Sequence, residues 1–351
     1  MPKSPRDAVT KYLSDHSKPL RPIFTSLNGD NSWLMSFPRP ESEQAETGKI
    51  FYHLAFEPWL KGPALVFNQW IVHIARTENS GIAAFADLEN LIREIEQAAA
   101  SRMPPKAEGQ AIQQGSASPL DGVLLSFFYS DHLHPETLKT FPPEIPIIAT
   151  PPGAAIIKAW NHFHTVKIIK DFSPLSTSWK TPDLHPGDPV PSWFTPIMLL
   201  GKGELNFVFT IIWSHTVDGQ EVQEAIFDSP HGVHLDAPVL EAFLASEPKT
   251  KKLAMLHGLK ESHSAGVQTT FGAKGGLGLH RKVGGVEHWV STHSAEMKYT
   301  GVLMTILWTV DTPRTIEWAL NEEQKENPTS KTKPPNIIKV PNGGSTILTC
   351  Q

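Results

Sequence analysis

The sequence has almost no cysteine, and its single thiol, Cys350, stands next to the C-terminus. One cysteine cannot form an intrachain disulfide or a thiolate metal cluster, so a reducing compartment is predicted. Residues 1–20 contain no apolar run that could serve as a secretory signal. The sequence also lacks any stretch of roughly 18 uninterrupted apolar residues, the length that a transmembrane helix needs. We therefore expect a cytoplasmic protein without a transmembrane helix.

Positive charge is also in short supply. The 31 lysines and arginines are outnumbered by 36 aspartates and glutamates, which gives a formal charge of −5. A protein that binds nucleic acid would usually display a basic face that attracts phosphates. Hydrophobic residues make up 40% of the chain, which is enough to form a folded core. These features predict a globular protein with a small-molecule substrate and with neither nucleic acid nor membrane as a partner; they leave its oligomeric state open.

Proline and glycine are abundant, at 31 and 24 residues, and predict many short elements joined by turns. In the first third of the chain the residue patterns predict an amphipathic helix over 5–14, a β-hairpin over 23–37 with its turn at 28–30, a strand over 49–64 and a surface helix over 82–100. The polar segment 101–119 is predicted to be a flexible surface loop, with a domain boundary as the alternative.

Residues 122–172 alternate between apolar strands and helices, in the order strand–helix–strand–helix–strand. This order predicts an α/β fold with a covered sheet, in which ligands bind at the carboxyl ends of the strands. Beyond a proline-rich loop the pattern becomes mostly β, with one helix over 238–245. We interpret the glycine-rich segment 272–285 as a mobile flap and not as a nucleotide-binding loop. The charged residues beyond Asn321 are interpreted as a loosely held tail.

Asp131 and His132 follow the predicted strand 122–130, immediately before a predicted helix start. At the end of a strand, this pair could present a carboxylate and an imidazole to a metal ion in a cleft. The alternative is that Asp131 caps the helix and that His132 is an ordinary hydrogen-bonded polar residue. His134 comes two residues later, where the helix would turn it away from such a site.

The segment SFFYSDHLHPETL resembles the His-x-His-x-Asp-His signature of the metallo-β-lactamase superfamily. Asp131 and His132 match its last two positions, whereas Phe127 and Tyr129 stand where the first two histidines would be. The upstream segment FEPWLKGPA is similar to an Asp-Pro-Trp-Leu stretch that commonly precedes the signature in the fungal branch, with Glu57 in place of the aspartate.

Two later segments continue the resemblance, which spans roughly residues 25 to 310 in the right order. In SPHG, His231 stands where the family usually offers a metal-bridging aspartate, and in WVSTHS, His293 stands where the final metal histidine belongs. The residues alone leave simpler roles open for both: His231 could bond to a loop carbonyl, and His293 could be a histidine at the edge of the core. We interpret His215, His257 and His288 as structural or surface groups.

The resemblance implies an αββα four-layer, metallo-β-lactamase-like sandwich over residues 21–320, between an N-terminal helical extension (1–20) and a C-terminal extension (321–351). It also implies that only half of the usual metal site remains. The other half should be empty, because Phe127 has no lone pair and the phenol of Tyr129 is a poor zinc ligand at neutral pH. For the third histidine of that half, the sequence offers only His185. The remaining residues could hold one zinc ion: Asp131, His132, His231 and His293.

Three functions follow from these residues. The favoured one is metal-assisted hydrolysis of an ester, lactone or thioester at a mononuclear site, in secondary metabolism as in fungal relatives. A second is a metal-independent lyase, cyclase or isomerase that uses four side chains for acid–base chemistry: Asp131, His132, His231 and Tyr129. A third is a non-catalytic binding protein with a degenerate site.

Overall fold

The computed structural model describes residues 5–66, 70–103, 118–326, 328 and 333–350. Its helices are, in chain order, α1 (Pro5–Leu13), α2 (Glu41–Thr47), α3 (Phe85–Ala99), α4 (Pro135–Leu138), α5 (Pro151–Ala159), α6 (Pro238–Ala245), α7 (Gly272–Lys282) and α8 (Ile316–Glu326). Within these described ranges, no helix combines the length and the apolarity that crossing a membrane requires.

The strands are, in chain order, β1 (Ile23–Ser26), β2 (Trp33–Pro38), β3 (Phe51–Phe56), β4 (Ala64–Val66), β5 (Val72–Arg76), β6 (Gly122–Leu125), β7 (Ile147–Ala149), β8 (Val166–Ile168), β9 (Lys170–Asp171), β10 (Phe194–Leu200), β11 (Phe207–Val217), β12 (Gln220–Asp228), β13 (Lys251–His257), β14 (Glu261–Ser264), β15 (Val267–Phe271), β16 (His288–Ser291), β17 (Met297–Thr300), β18 (Thr309–Thr312), β19 (Ile337–Ile338) and β20 (Ser345–Ile347). Helices and mixed sheets alternate along the chain, which confirms the predicted α/β class.

The chain divides into two compact units. Unit 1 comprises residues 1–62, 78–167 and 340–349, and unit 2 comprises residues 63–77, 168–339 and 350–351. The four-layer αββα arrangement and the predicted boundaries at residues 20 and 320 stay predictions.

Unit 1 contains a sheet with the strand order β20-β1-β2-β3-β6-β7-β8. The predicted hairpin is present, because β1 and β2 pair antiparallel across a turn in which Gly29 takes a φ of 75°. Strand β2 continues antiparallel to β3, whereas β3, β6 and β7 run parallel to one another. Parallel neighbours end at the same edge of a sheet. The residues that follow β3 and β6 therefore lie close together.

The core of unit 1 follows from the apolar pattern of its elements. Every residue of β1, β2, β3 and β6 is buried, as expected for strands covered on both faces. The predicted surface helix is α3, and it buries an apolar stripe at helical spacing that consists of Leu88, Leu91, Ile92 and Ile95.

Unit 2 contains a second mixed sheet, with the strand order β19-β16-β13-β12-β11-β10-β9. Strands β10, β11 and β12 form an antiparallel meander, and β12, β13 and β16 are parallel neighbours. Their carboxyl ends share one edge of the sheet, as those of β3 and β6 do in unit 1. Two small sheets complete the unit, with the orders β15-β14-β18 and β17-β5-β4.

Three sequence predictions about local structure need correction. The strand predicted over 122–130 ends at Leu125, because the next two backbone N–H groups, of Ser126 and Phe127, donate to the side chain of Glu57. The glycine-rich segment predicted as a flap forms helix α7, whose buried residues include Leu277 and Leu279. The tail is not loosely held, because β20 pairs with β1 and β19 pairs with β16. Of the predicted flexible loop 101–119, residues 104–117 lie outside the described residues.

Candidate functional site

The side chain of Glu57 occupies the shared carboxyl end of β3 and β6. Glu57 is the first residue after β3 and is fully buried. Its backbone adopts a φ of 46°, in the left-handed region that non-glycine residues rarely enter. Strain of this kind persists only where the surrounding structure enforces it, and it is concentrated at functional positions.

The Glu57 carboxylate accepts hydrogen bonds on both oxygens. Oε1 accepts from the N–H of Ser126 (3.1 Å), from its hydroxyl (2.5 Å) and from the N–H of Phe127 (3.1 Å). Oε2 accepts a short hydrogen bond from the side-chain amide of Asn31 and lies 2.5 Å from Nδ1 of His132. A buried carboxylate needs donors of this number, and together they hold it in one position.

His132 is oriented by this carboxylate. Its side chain is buried, and its Nδ1–H donates to Glu57. This bond fixes the tautomer in which Nε2 carries the lone pair, the state in which a histidine can bind a metal ion or accept a proton. Nε2 lies 3.7 Å from Oδ2 of Asp131, whose side chain is 21% exposed. The structure thus places Asp131 and His132 side by side in unit 1.

The helix that follows is capped by His134 and not by Asp131. Nδ1 of His134 accepts a hydrogen bond from the backbone N–H of Thr137 (3.2 Å), at the start of α4. The His134 ring also stacks on Trp59, with 5.9 Å between ring centroids. The alternative in which Asp131 caps the helix was therefore wrong, and His134 has a structural role.

Phe127 lies against His132, and Tyr129 lies against Phe127. The ring of Phe127 is buried and meets the His132 ring edge-on, at 5.2 Å between centroids. The ring of Tyr129 lies 4.5 Å from that of Phe127 and is 38% exposed. This side of His132 is consequently apolar.

In unit 2, the loops that follow β12 and β16 bring His231 and His293 together. Their ring centroids are 4.7 Å apart. Nδ1 of His231 lies 3.1 Å from the hydroxyl of Thr270, in β15. His293 is buried and, like Glu57, adopts a φ of 46°. The Thr270 hydroxyl is thus a neighbour of His231, and the functional roles of His231 and His293 stay predictions.

Strand β13 lies between β12 and β16, and its last residue is His257. Burial lowers the pKa of His257 to about 4. Because of this low pKa the imidazole is neutral at physiological pH, and its Nδ1–H donates to the carbonyl of Gly258 at 2.7 Å. Asp228 ends β12 and is also buried. Each of these two polar residues is the last residue of a strand that pairs parallel with β13 or β16. Their position at a strand end is the feature of the sequence that could have drawn attention to them.

The histidine considered for the missing half of the metal site is a structural residue. Nε2 of His185 donates to the carbonyls of Pro191 (3.0 Å) and Phe194 (3.1 Å), and its Nδ1 accepts from the N–H of Gly187 (3.0 Å). Both ring nitrogens are thereby used within the proline-rich loop. The candidacy of His185 is corrected on this ground.

The donor chemistry of the predicted ligands fits a zinc ion. Zinc in proteins binds imidazole nitrogens and carboxylate oxygens, and histidine ligands usually donate their second ring nitrogen to a carboxylate or carbonyl. The Glu57–His132 pair has this arrangement. Sequence reasoning had noted the position of Glu57 but not its contact with His132, and it had missed Asn31 and Thr270.

No protein-family model matches the chain, and no curated protein matches it. Among solved structures, the chain is similar to an isothiocyanate hydrolase from Delia radicum gut bacteria, with 12% identity over 93% of this chain and 100% of the other and a TM-score of 0.49. It is also similar to a possible metal-dependent hydrolase from Veillonella parvula, with 10% identity over 94% and 100% and a TM-score of 0.47. A metallo hydrolase from the archaeon Ignicoccus hospitalis gives 9% identity over 95% and 100% and a TM-score of 0.43. At these values no reaction is carried from those proteins to this chain.

Proposed function

We propose that the chain is a metal-dependent hydrolase of the metallo-β-lactamase type that acts on a small electrophilic molecule: an ester, a lactone or a thioester. The observation that carries the proposal is the buried Glu57–His132 pair at the joint carboxyl ends of β3 and β6. We propose one zinc ion, with the ligands that the sequence resemblance implies: Asp131, His132, His231 and His293.

The buried Glu57–His132 pair is better explained by a functional role than by a contribution to the stability of the fold. Burying a carboxylate is costly even when it is well bonded, and a hydrophobic replacement would often be as stable. The hydrogen bonds of Glu57 come from three separate segments, at Asn31, at residues 126–127 and at His132. These hydrogen bonds fix the Glu57 carboxylate, and the carboxylate in turn orients the His132 imidazole. Nε2 of that imidazole lies 3.7 Å from the Asp131 carboxylate.

When bound, a zinc ion would act as a Lewis acid on the carbonyl oxygen of the substrate. The protein residues would supply orientation and proton transfer. Glu57 keeps His132 in one tautomer, and the buried ring of Phe127 excludes water from one side of it. His231, which lies against the Thr270 hydroxyl, would be either the fourth ligand of the ion or, when it does not bind the ion, the acid–base group.

Metal content of the purified protein tests this function. We expect about one zinc per chain by elemental analysis of the wild type, and loss of most of that zinc in Asp131→Ala and His293→Ala. The matched control is His263→Ala, which removes a histidine from β14 and should keep the metal. Zinc content equal to the wild type in both ligand variants would overturn the ligand assignment, and hydrolysis that survives complete removal of metal would overturn the function.

A metal-independent lyase or isomerase is a second candidate, because the same geometry favours it. A histidine whose Nδ1–H donates to a buried carboxylate is an arrangement suited to a general base. Asp131 and the Tyr129 phenol would then be the neighbouring acid–base groups. Turnover of a substrate by metal-free protein, lost in His132→Ala, would favour this candidate over the hydrolase.

A further inference from the structure

Three consecutive aromatic residues, Phe127, Phe128 and Tyr129, form one contact cluster, here called the aromatic shelf. The ring centroids of Phe127 and Phe128 are 5.0 Å apart, those of Phe127 and Tyr129 are 4.5 Å apart, and those of Phe128 and Tyr129 are 5.0 Å apart. These spacings are within the range of favourable aromatic pairs.

The shelf runs from the interior to the surface. Phe127 is buried, Phe128 is half-buried and Tyr129 is exposed. The buried end touches the candidate catalytic histidine, because the Phe127 ring meets the His132 ring edge-on. A series of ring contacts therefore leads from the buried His132 through Phe127 to the exposed ring of Tyr129.

The shelf is also fixed in position relative to His132. The carbonyl of Tyr129 accepts hydrogen bonds from the N–H groups of His132 (2.9 Å) and Leu133 (2.7 Å). This tight turn ties the exposed ring to the imidazole only three residues away. A single exposed tyrosine would need no explanation, but a cluster of three aromatic rings that leads to a buried, carboxylate-held histidine does.

We propose that the aromatic shelf binds the apolar part of the substrate, an aryl or long acyl group, and so makes the protein selective for hydrophobic esters or thioesters. This inference rests on the proposed function, which supplies the reaction at His132. A flat or extended uncharged group covers Tyr129 and Phe128 and removes their exposed faces from water. Small, strongly polar substrates make no such contact.

The test measures binding and turnover separately, on the full-length, zinc-loaded protein. The binding probe is 2-naphthol, followed by its fluorescence. We expect Tyr129→Ser to weaken 2-naphthol binding roughly tenfold, the effect of losing one aromatic face and the surface that it covers. Tyr129→Phe keeps the ring and should bind the probe as the wild type does. The matched control is Trp308→Ser, which removes an aromatic ring of 56% exposure from unit 2 and should leave binding unchanged.

For turnover, we expect Tyr129→Ser to raise the ratio of KM for 1-naphthyl acetate to KM for methyl acetate about tenfold, as its binding loss predicts. The proposal would be overturned if Tyr129→Ser, with a normal urea midpoint, bound 2-naphthol as tightly as the wild type does. It would also be overturned if Trp308→Ser lost as much affinity for 2-naphthol as Tyr129→Ser. If 2-naphthol binds as expected but neither ester is hydrolysed, the shelf stands and the proposed hydrolase fails.

Discussion

The Glu57 carboxylate shows how far single residues could be predicted. Its nearest partners come from two distant parts of the chain, Asn31 from one and Ser126 and His132 from the other, and no local pattern connects them to Glu57. The sequence could indicate Asp131 and His132, because both lie at the end of an apolar run. It could not indicate their support, because hydrogen bonds to a buried side chain depend on strand pairing. The positive φ of Glu57 has no signature in sequence either.

At the same scale, His257 gives the protein a pH-dependent stability. Its folded-state pKa, about 4, lies below the value of about 6.5 expected in the unfolded chain. Between these values the unfolded state binds the proton and the folded state does not, so stability falls as the pH falls from about 6.5 towards 4. One such group costs about 2 kcal/mol of unfolding free energy between pH 7 and pH 5.

The check is urea denaturation of metal-free protein at pH 7 and pH 5, for the wild type and for His257→Leu. The variant should lose about 2 kcal/mol less than the wild type over this interval, whatever its stability at pH 7. An equal loss in the two proteins would show that His257 is protonated as easily in the folded state as in the unfolded one.

Helix α7 is the element at which sequence reasoning failed most clearly. Four of its eleven residues are glycine, and glycine disfavours helix by up to about 1 kcal/mol per residue. Tertiary packing decides the outcome, because a side chain at Gly276 would stand 2.4 Å from the indole of Trp289. Helix α6, which has a proline at its start, was predicted to the residue, and α3, which has regular apolar spacing, was predicted to within three residues at each end.

Two substitutions in α7 separate packing from helix propensity. Gly276→Ala places a methyl group against Trp289 and the buried His257, and we expect it to destabilise the protein by about 1–3 kcal/mol. In Gly278→Ala the new methyl group meets only the end of the Leu235 side chain, at 2.8 Å. Leu235 is partly exposed and can move aside, so this control should be neutral or slightly stabilising. The urea midpoints of the two variants, compared with that of the wild type, measure these changes in stability. A Gly276→Ala variant more stable than the wild type would contradict the packing explanation.

At the scale of the whole molecule, unit 1 is assembled from segments at the two ends of the chain. Strand β20 pairs antiparallel with β1 along three residue pairs. The buried guanidinium of Arg21 donates to the carbonyl of Leu348, and the hydroxyls of Thr25 and Ser345 lie 2.7 Å apart. The composition of the tail concealed this strand, because charged and proline-rich residues precede it.

Deletion of residues 340–351 should therefore destabilise unit 1, although it removes only a short strand. Loss of the backbone bonds and of the fully buried Leu348 side chain should cost about 3 kcal/mol or more. Urea denaturation and hydrogen exchange of the β1 amides measure the effect, and deletion of Gln351 alone is the control. Unchanged exchange at Phe24 and Ser26, whose N–H groups face β20, would show after the long deletion that β20 does not protect β1.

The late position of β20 has a further consequence during synthesis. Strand β1 leaves the ribosome more than three hundred residues before the strand that covers its outer edge. Throughout that interval the N–H and C=O groups of β1 on that side can pair with any other extended chain. Several ribosomes on one message hold such edges close to one another, so a chaperone that shields residues 23–26 during synthesis would raise the yield of folded protein more than one that acts after release.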